Sequence, residues 1–113
     1  MVASAPVDAA AVDALASRFF AAIERGDAAA LEALYAPGMV VWHNTTRAAQ
    51  SREDNLALLA RLHRRLGGWR YASVRREVFD GGFVQQHVLH ATLPDGREVE
   101  VPACVVAREL VAE

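Results

Sequence analysis

The chain has 113 residues, 53% hydrophobic and 23% charged, with all twelve of its basic side chains arginine and a formal net charge of -2. That length is one domain's worth, 1–113, able to bury roughly two-thirds of its unfolded surface without disulfides or metals. A slightly acidic chain raises no overall positive field to gather nucleic acid, and its apolar runs fall far short of the ~20 residues of a membrane span.

The start, "MVASAPVDAAAVDA", lacks the charged head and long apolar core of a secretory signal, and residues 1–11 read as a flexible lead-in. The single cysteine, Cys104, can form no internal disulfide, so a reducing cytoplasm is the expected compartment. From Val12, apolar residues fall at Leu15, Ala16, Phe19, Ala22 and Ile23, one stripe of a 3.6-residue period. Gly26 supplies a stop, and Asp27 can cap a second short helix carrying Leu31, Leu34 and Tyr35, which "APG" at 36–38 ends. Met39 to His43 is β-branched and aromatic and predicts a strand. A third helix runs from Ser51 through Leu56, Leu59, Leu62 and Leu66 to the glycines Gly67 and Gly68.

Beyond Gly68 the period falls to two. Trp69 to Phe79, Phe83 to Leu93 and Arg97 to Glu109 read as three long antiparallel strands, with turns at "DGG" and "PDG". Three helices before a run of hairpins give an α+β layout, with the helices on one face of a curved sheet. Val84 and Val88 share one face of their strand with Gln86 and His90, Val99, Val101, Ala103 and Val105 share one face of theirs, and this second, partly apolar face predicts a homodimer contact through those four residues. A two-residue turn at Asp95-Gly96 would set His87 opposite Cys104 and Gln85 opposite Val106. A two-residue turn at Gly81-Gly82 would add Val74, Arg76 and Val78 to that face, making an apolar patch with a few polar groups, the look of a small-molecule pocket.

The order helix, "ERGD", helix, "LYAPGMVVWHN", helix, three hairpin strands resembles the nuclear transport factor 2-like superfamily, most of all SnoaL-like proteins and the ketosteroid isomerase group. "RFFAAIERGDAAALEALYAPGMVVWHN" and "LPDGREVEVPACVVAREL" carry most of the likeness, which spans about Val12 to Glu109. It implies a cone-shaped fold with an apolar pocket between helices and concave sheet, often in a dimer. Members usually finish with a further strand, whereas this sequence stops at "ARELVAE", so the usual final strand is expected to be absent or supplied by a partner. Carried over from ketosteroid isomerases, the general base falls on His43, the oxyanion tyrosine on Phe19, and the second oxyanion donor near Cys104 or, one register away, Val105. None of the three is the residue type those isomerases use there.

His43 is either a structural histidine at a strand end or a proton-transfer group, since an imidazole can take a proton near neutral pH. Trp42 points to the other side of the strand, as packing or a pocket edge, and Asn44 either orients His43 or opens the following loop. His63 shares a helix face with Leu59 and Leu66, as a satisfied buried histidine or a pocket wall. His87 and His90 lie three apart on a strand, face opposite ways and cannot chelate one ion. No metal-ligand motif, phosphate loop or nucleophile elbow is present, so neither metal nor cofactor is expected.

Two functions follow. One is a small-molecule enzyme doing acid-base chemistry, an isomerisation, cyclisation or hydration, on an apolar carbonyl compound, with His43 as base and Gln85 or His87 donating to the developing oxyanion. Phe19, Trp42, Asn44, His63 and Cys104 would contact that ligand. The other is a noncatalytic binding or dimerisation module built on the same cone, with a protein-trafficking adaptor like the transport factor itself as a remote third reading.

Overall fold

Asp8 opens the described part of the computed structural model, residues 8–108. Its carboxylate accepts a hydrogen bond from the Ala11 N–H at 2.8 Å, satisfying one of the donors that a helix start leaves unpaired. Helix α1 therefore begins at Ala9 and runs to Arg25, so the expected lead-in to residue 11 is corrected; residues 1–7 lie outside the described part.

Gly26 ends α1 in the left-handed region, φ 67°, where a side chain would be strained. A Cβ at this position would also overlap the ring of His63, which lies directly beneath. Asp27 then caps helix α2, Ala28–Leu34, accepting from the Ala30 N–H at 3.1 Å. Arg52, in the first turn of helix α3 (Arg52–Arg65), donates to the carbonyls of Tyr35 and Glu32 at 3.0 and 2.7 Å. It thereby occupies acceptors that the end of α2 leaves open and ties the two helices together.

Between those helices the chain makes a small hairpin, β1 (Val40–His43) with β2 (Ala48–Ser51). β2 was not expected, because "AAQS" has neither β-branched nor aromatic residues. It forms because β1 offers it an edge, and its last residue, Ser51, caps α3 by accepting from the Asp54 N–H.

The main sheet has the order β3-β4-β5, all antiparallel: β3 Gly67–Phe79, β4 Gly82–Thr92, β5 Glu98–Ala107. Its two turns differ from those expected. Asp80 and Gly81, not Gly81 and Gly82, separate the paired residues Phe79 and Gly82. Gly82 lies within β4, paired with Phe79, and only glycine fits there, since the Ala107 carbonyl and the Phe79 ring occupy the space a Cβ would need. The second loop has three residues, Pro94 to Gly96, closed by Gly96 N–H to Leu93 O and Leu93 N–H to Arg97 O, with Gly96 at φ 89°.

That additional loop residue moves the whole of β5 by one position. Gln85 pairs with Val105 and His87 with Ala103, while Cys104 pairs with Gln86 and falls on the opposite face. Val99, Val101, Ala103 and Val105 thus lie on the face of His87, where Val105 packs against the core and Val101 is exposed, and are not the outer face of the sheet. The outer face carries Val84, Gln86, Val88 and His90 beside Val106, Cys104, Pro102 and Glu100.

β3 carries two register shifts, one between Gly67 and Arg70 and one between Ala72 and Arg75. Gly68 and Ser73 take positive φ there, 57° and 53°. Such bulges bend the strand and increase its twist, which curves the sheet around α1. The core forms in that curve from Val12, Ala16, Phe20, Ala22 and Ile23 of α1, Leu31 and Tyr35 from the second helix and its cap, and Phe83 of β4. Among the described residues no helix is long and apolar enough to cross a membrane.

Candidate functional site

Strand alternation sends Phe83, Gln85 and His87 inward from β4. Gln85 is 1% exposed and His87 6%, so each polar atom there needs a partner. Arg76, paired with Gln85 across the sheet, donates from Nε to the Gln85 Oε1 at 2.8 Å. A guanidinium has only donors, so that contact fixes the amide's orientation. The Gln85 Nε2 then donates to His87 Nδ1 at 2.9 Å, and the neutral ring must carry its hydrogen on Nε2. Burial lowers the His87 pKa below the usual imidazole value, favouring the neutral form. No described group forms a hydrogen bond to its Nε2.

Arg76 is anchored in turn. Its Nη1 reaches the Asp13 carboxylate at 2.8 Å and the Ser17 hydroxyl at 2.9 Å on α1, and its guanidinium lies 6.0 Å from the centre of the Phe20 ring. Aromatic rings enclose His87: Tyr71 at 4.4 Å and Phe20 at 5.4 Å between centroids. Burial pushes the Tyr71 phenol up to about 12, so it too remains a neutral donor at ordinary pH. Its backbone N–H is held by the Glu24 carboxylate at 2.9 Å, which covers part of the β3 edge.

A second set of polar groups begins at His43. His43 and Gln50 are diagonal neighbours on one face of the small hairpin, and His43 Nε2 lies 2.9 Å from Gln50 Oε1. The same oxygen accepts from Asn55 Nδ2 at 3.1 Å, and Asn55 Oδ1 accepts from the Tyr35 hydroxyl at 2.6 Å. Burial, and then the nearby Tyr71, push the Tyr35 phenol up to about 12. Both tyrosines belong to one core, Tyr35 within the buried cluster and Tyr71 packed against it; His43, Gln50, Asn55 and Tyr35 form one set, and Tyr71, His87, Gln85 and Arg76 the other.

Not every expected site residue joins them. Phe19 is partly buried and packs against the core, with its ring 5.9 Å from that of Tyr35 and 4.9 Å from Phe20. Trp42 is 61% exposed on the hairpin's other face, and Asn44 is exposed in the turn. Cys104 is exposed on the outer face of the sheet, away from His87, for the register reason given above. His63 stacks on Trp69 with 6.4 Å between rings and has its Nε2 3.2 Å from the Glu24 carbonyl. It also borders a cleft of about 270 Å³ between the helices, whose walls include Ile23, Leu31, Leu56 and Leu59. Neither His43 nor His87 lines that cleft, nor the shallower one between Arg18 and Leu34. Among the described residues no cluster of three or more His, Cys, Asp or Glu side chains could hold a metal ion.

Sequence reasoning missed Tyr71, Tyr35, Gln50 and Asn55 as site residues. Strict alternation back from Arg76 assigns Tyr71 to the outer face, and the bulge at Ser73 reverses that parity. Val74, expected inside by the same count, is correspondingly exposed. Asn55 did carry a signal: it is an amide on the same helical stripe as Leu59 and Leu62, one of the few polar residues on a core-facing side.

The family model described as SnoaL-like domain matches residues 16–108. Among solved structures, a provisionally named polyketide cyclase from Pseudomonas putida superposes with a TM-score of 0.72 at 17% identity, covering 83% of this chain and 78% of that one. Another so named, from Xanthomonas campestris, gives 0.73 at 16%, covering 86% and 79%. At such identities the likeness shows the fold alone. No curated protein sequence matches the chain significantly.

Proposed function

The chain belongs to the SnoaL-like domain family, of the nuclear transport factor 2-like superfamily, and on that footing we propose that it is a small-molecule enzyme of cyclase or isomerase type acting on an apolar carbonyl compound. One observation carries the reading: a buried histidine, His87, neutral and with its hydrogen placed on Nε2 by Gln85, offers that N–H to no described group and sits against the tyrosine Tyr71. The His87 Nε2 is not sealed from solvent, Trp69 Nε1 being the one buried side-chain polar atom without a partner among the described residues, so its N–H is open to a ligand oxygen as it is to water. A preorganised neutral donor in an apolar wall is what a developing enolate oxygen needs.

In this reading His43 takes a proton from carbon beside the carbonyl, and the electron pair moves onto the oxygen held by His87. The enolate carbon then attacks a second carbonyl within the same molecule, whose π electrons become an alkoxide that takes the proton back from His43, which is cyclisation, or recovers that proton at another carbon, which is isomerisation. Addition of water activated by His43 is a third use of the same groups. Gln85 acts behind His87, since both ends of its amide are already engaged. The names of the two structural neighbours favour cyclisation of a polyketone.

A His43→Gln variant tests this: it should keep the fold and most ligand affinity while losing turnover of apolar polyketones and cyclic ketones. A variant that turns over substrate like the parent would remove His43 as base. A noncatalytic binding module is the second reading, supported by the phenylalanine at position 19, which lacks the hydroxyl of the ketosteroid isomerase pattern. Saturable binding by the parent without any turnover would select it.

A further inference from the structure

We propose that Tyr35, Asn55 and Gln50 form a directional hydrogen-bond relay that sets the tautomer of His43, holding its hydrogen on Nε2 and leaving Nδ1 as the basic atom. They are positioning residues. The consequence for catalysis rests on the reading of His43 as base, whereas the tautomer is a property of the resting protein.

The direction of the relay follows from what each group can donate. The Tyr35 hydroxyl has one hydrogen, and the acceptor it meets, 2.6 Å away in the interior, is Asn55. Burial keeps that hydrogen on the phenol at any ordinary pH. Asn55 is 3% exposed, so its amide cannot turn toward water to escape the constraint. With its oxygen facing Tyr35, its NH2 must face Gln50, and the atom 3.1 Å away is the Gln50 oxygen. That oxygen also faces His43 Nε2 at 2.9 Å. An amide oxygen has no hydrogen to give, so Nε2 must donate, and the lone pair of the neutral ring lies at Nδ1.

The relay spans four parts of the fold: the cap of α2, the first turn of α3, and both strands of the hairpin. Its Tyr35–Asn55 contact joins residues twenty positions apart, while Gln50 reaches Asn55 and His43 from five and seven positions away. Nδ1 of His43 is hydrogen-bonded to no described group. A base whose reactive nitrogen is held unpaired and whose ring is pinned at the other nitrogen is arranged as general bases require.

Reversing one amide should reverse the histidine. In Asn55→Asp both side-chain oxygens are acceptors; one keeps the Tyr35 hydrogen and the other obliges Gln50 to turn its NH2 inward. That same NH2 then points at His43 Nε2, which must accept, and the ring hydrogen moves to Nδ1. Free imidazole already leans toward Nε2–H, so the parent's tautomer alone is a weak test and the reversal is the informative one.

The experiment is nitrogen-15 NMR of the histidine rings in the full chain, at a pH where the rings are neutral. In the parent, His43 should show a pyrrole-type Nε2 and a pyridine-type Nδ1. The two should exchange character in Asn55→Asp, mix in Tyr35→Phe, and hold as in the parent in Gln50→Glu, an acceptor only. If Asn55→Asp fails to fold, Tyr35→Phe decides: parent-like shifts in that folded variant overturn the relay. Parent-like shifts in a folded Asn55→Asp overturn it equally. Those outcomes leave the base role of His43 untouched, whereas unimpaired turnover in His43→Gln removes the base role and leaves the relay standing.

Discussion

Tyr71 lies against His87 with 4.4 Å between ring centres, although simple alternation along β3 would separate Tyr71 from the Arg76 side of the sheet. The bulge at Ser73 makes the contact possible. Its φ of 53° is a left-handed conformation in which an L side chain costs roughly 1–2 kcal/mol. The side chain of Ser73 is exposed and makes no hydrogen bond to another described residue, so nothing local repays that cost.

Ser73→Gly should therefore leave stability unchanged or raise it by up to about 1 kcal/mol, relief of strain being partly offset by greater freedom of the unfolded chain. Ser73→Val should lower it by roughly 1–2 kcal/mol, a β-branched residue being the worst fit to that conformation. Urea unfolding of the three proteins measures both. A stabilised valine variant would mean that Ser73 is not held in this bulge.

Much of the fold was legible because its punctuation is chemical. Gly26 and Asp27 stop one helix and start the next by mechanisms that belong to those residues alone, and Ser51 with Asp54 opens α3 in the same way. The faces of the strands were less legible, because parity depends on counting. One added residue in the Pro94 to Gly96 loop sent Cys104 to the outside, and one bulge brought Tyr71 inside. His87 and Gln85 were placed together correctly because they lie two apart on a regular strand. Gln50 had no signal, since an isolated glutamine before a helix start fits solvent as well as a buried network.

Burial that lowers the His87 pKa makes the folded state bind that proton less readily than the unfolded chain does. Stability then rises with pH wherever the unfolded state holds more protons. The contribution of His87 is complete above about 6.5, the ordinary imidazole value, and is lost as pH falls from there through its lower folded value. The melting temperature should fall between about pH 7 and 5, and His87→Gln should flatten that part of the profile. An identical slope in the variant would assign the acid sensitivity elsewhere.

The outer face of the sheet presents Val84, Val88, Pro102 and Val106 together, the last 53% exposed, and we propose that a second copy of the chain covers it. Val106→Glu should convert a dimer to a monomer by placing a carboxylate at the contact, whereas Val101→Glu, on the other face and itself 46% exposed, should leave fold and dimer nearly unchanged. Light scattering at micromolar concentration reads both, and a monomeric parent would refute the contact.

Gln85→Glu offers the sharpest test of the inner network, because it changes one atom group, keeps the bond from Arg76 and reverses the one to His87. In the parent, the amide takes a hydrogen bond from Arg76 and gives one to His87. A carboxylate in its place can only accept. Arg76, 2.8 Å away across the strand pair, keeps it ionised, and the remaining oxygen faces His87 Nδ1, which must now hold a hydrogen. The negative charge stabilises the imidazolium, so the His87 pKa should rise where burial had lowered it. The pH dependence then changes sign: the contribution of His87 is fully present below about 6.5 and is lost as pH rises through the new folded value. The parent should lose stability on acidification and the variant on making the solution more basic, read as opposite slopes of melting temperature between about pH 5 and 8. Gln85→Leu is the control, expected to cost about 1–3 kcal/mol because it leaves both Arg76 Nε and His87 Nδ1 unpaired in the interior. If Gln85→Glu keeps the parent's slope, the amide does not face His87 as described, and the assignment of hydrogen to its Nε2 fails with it.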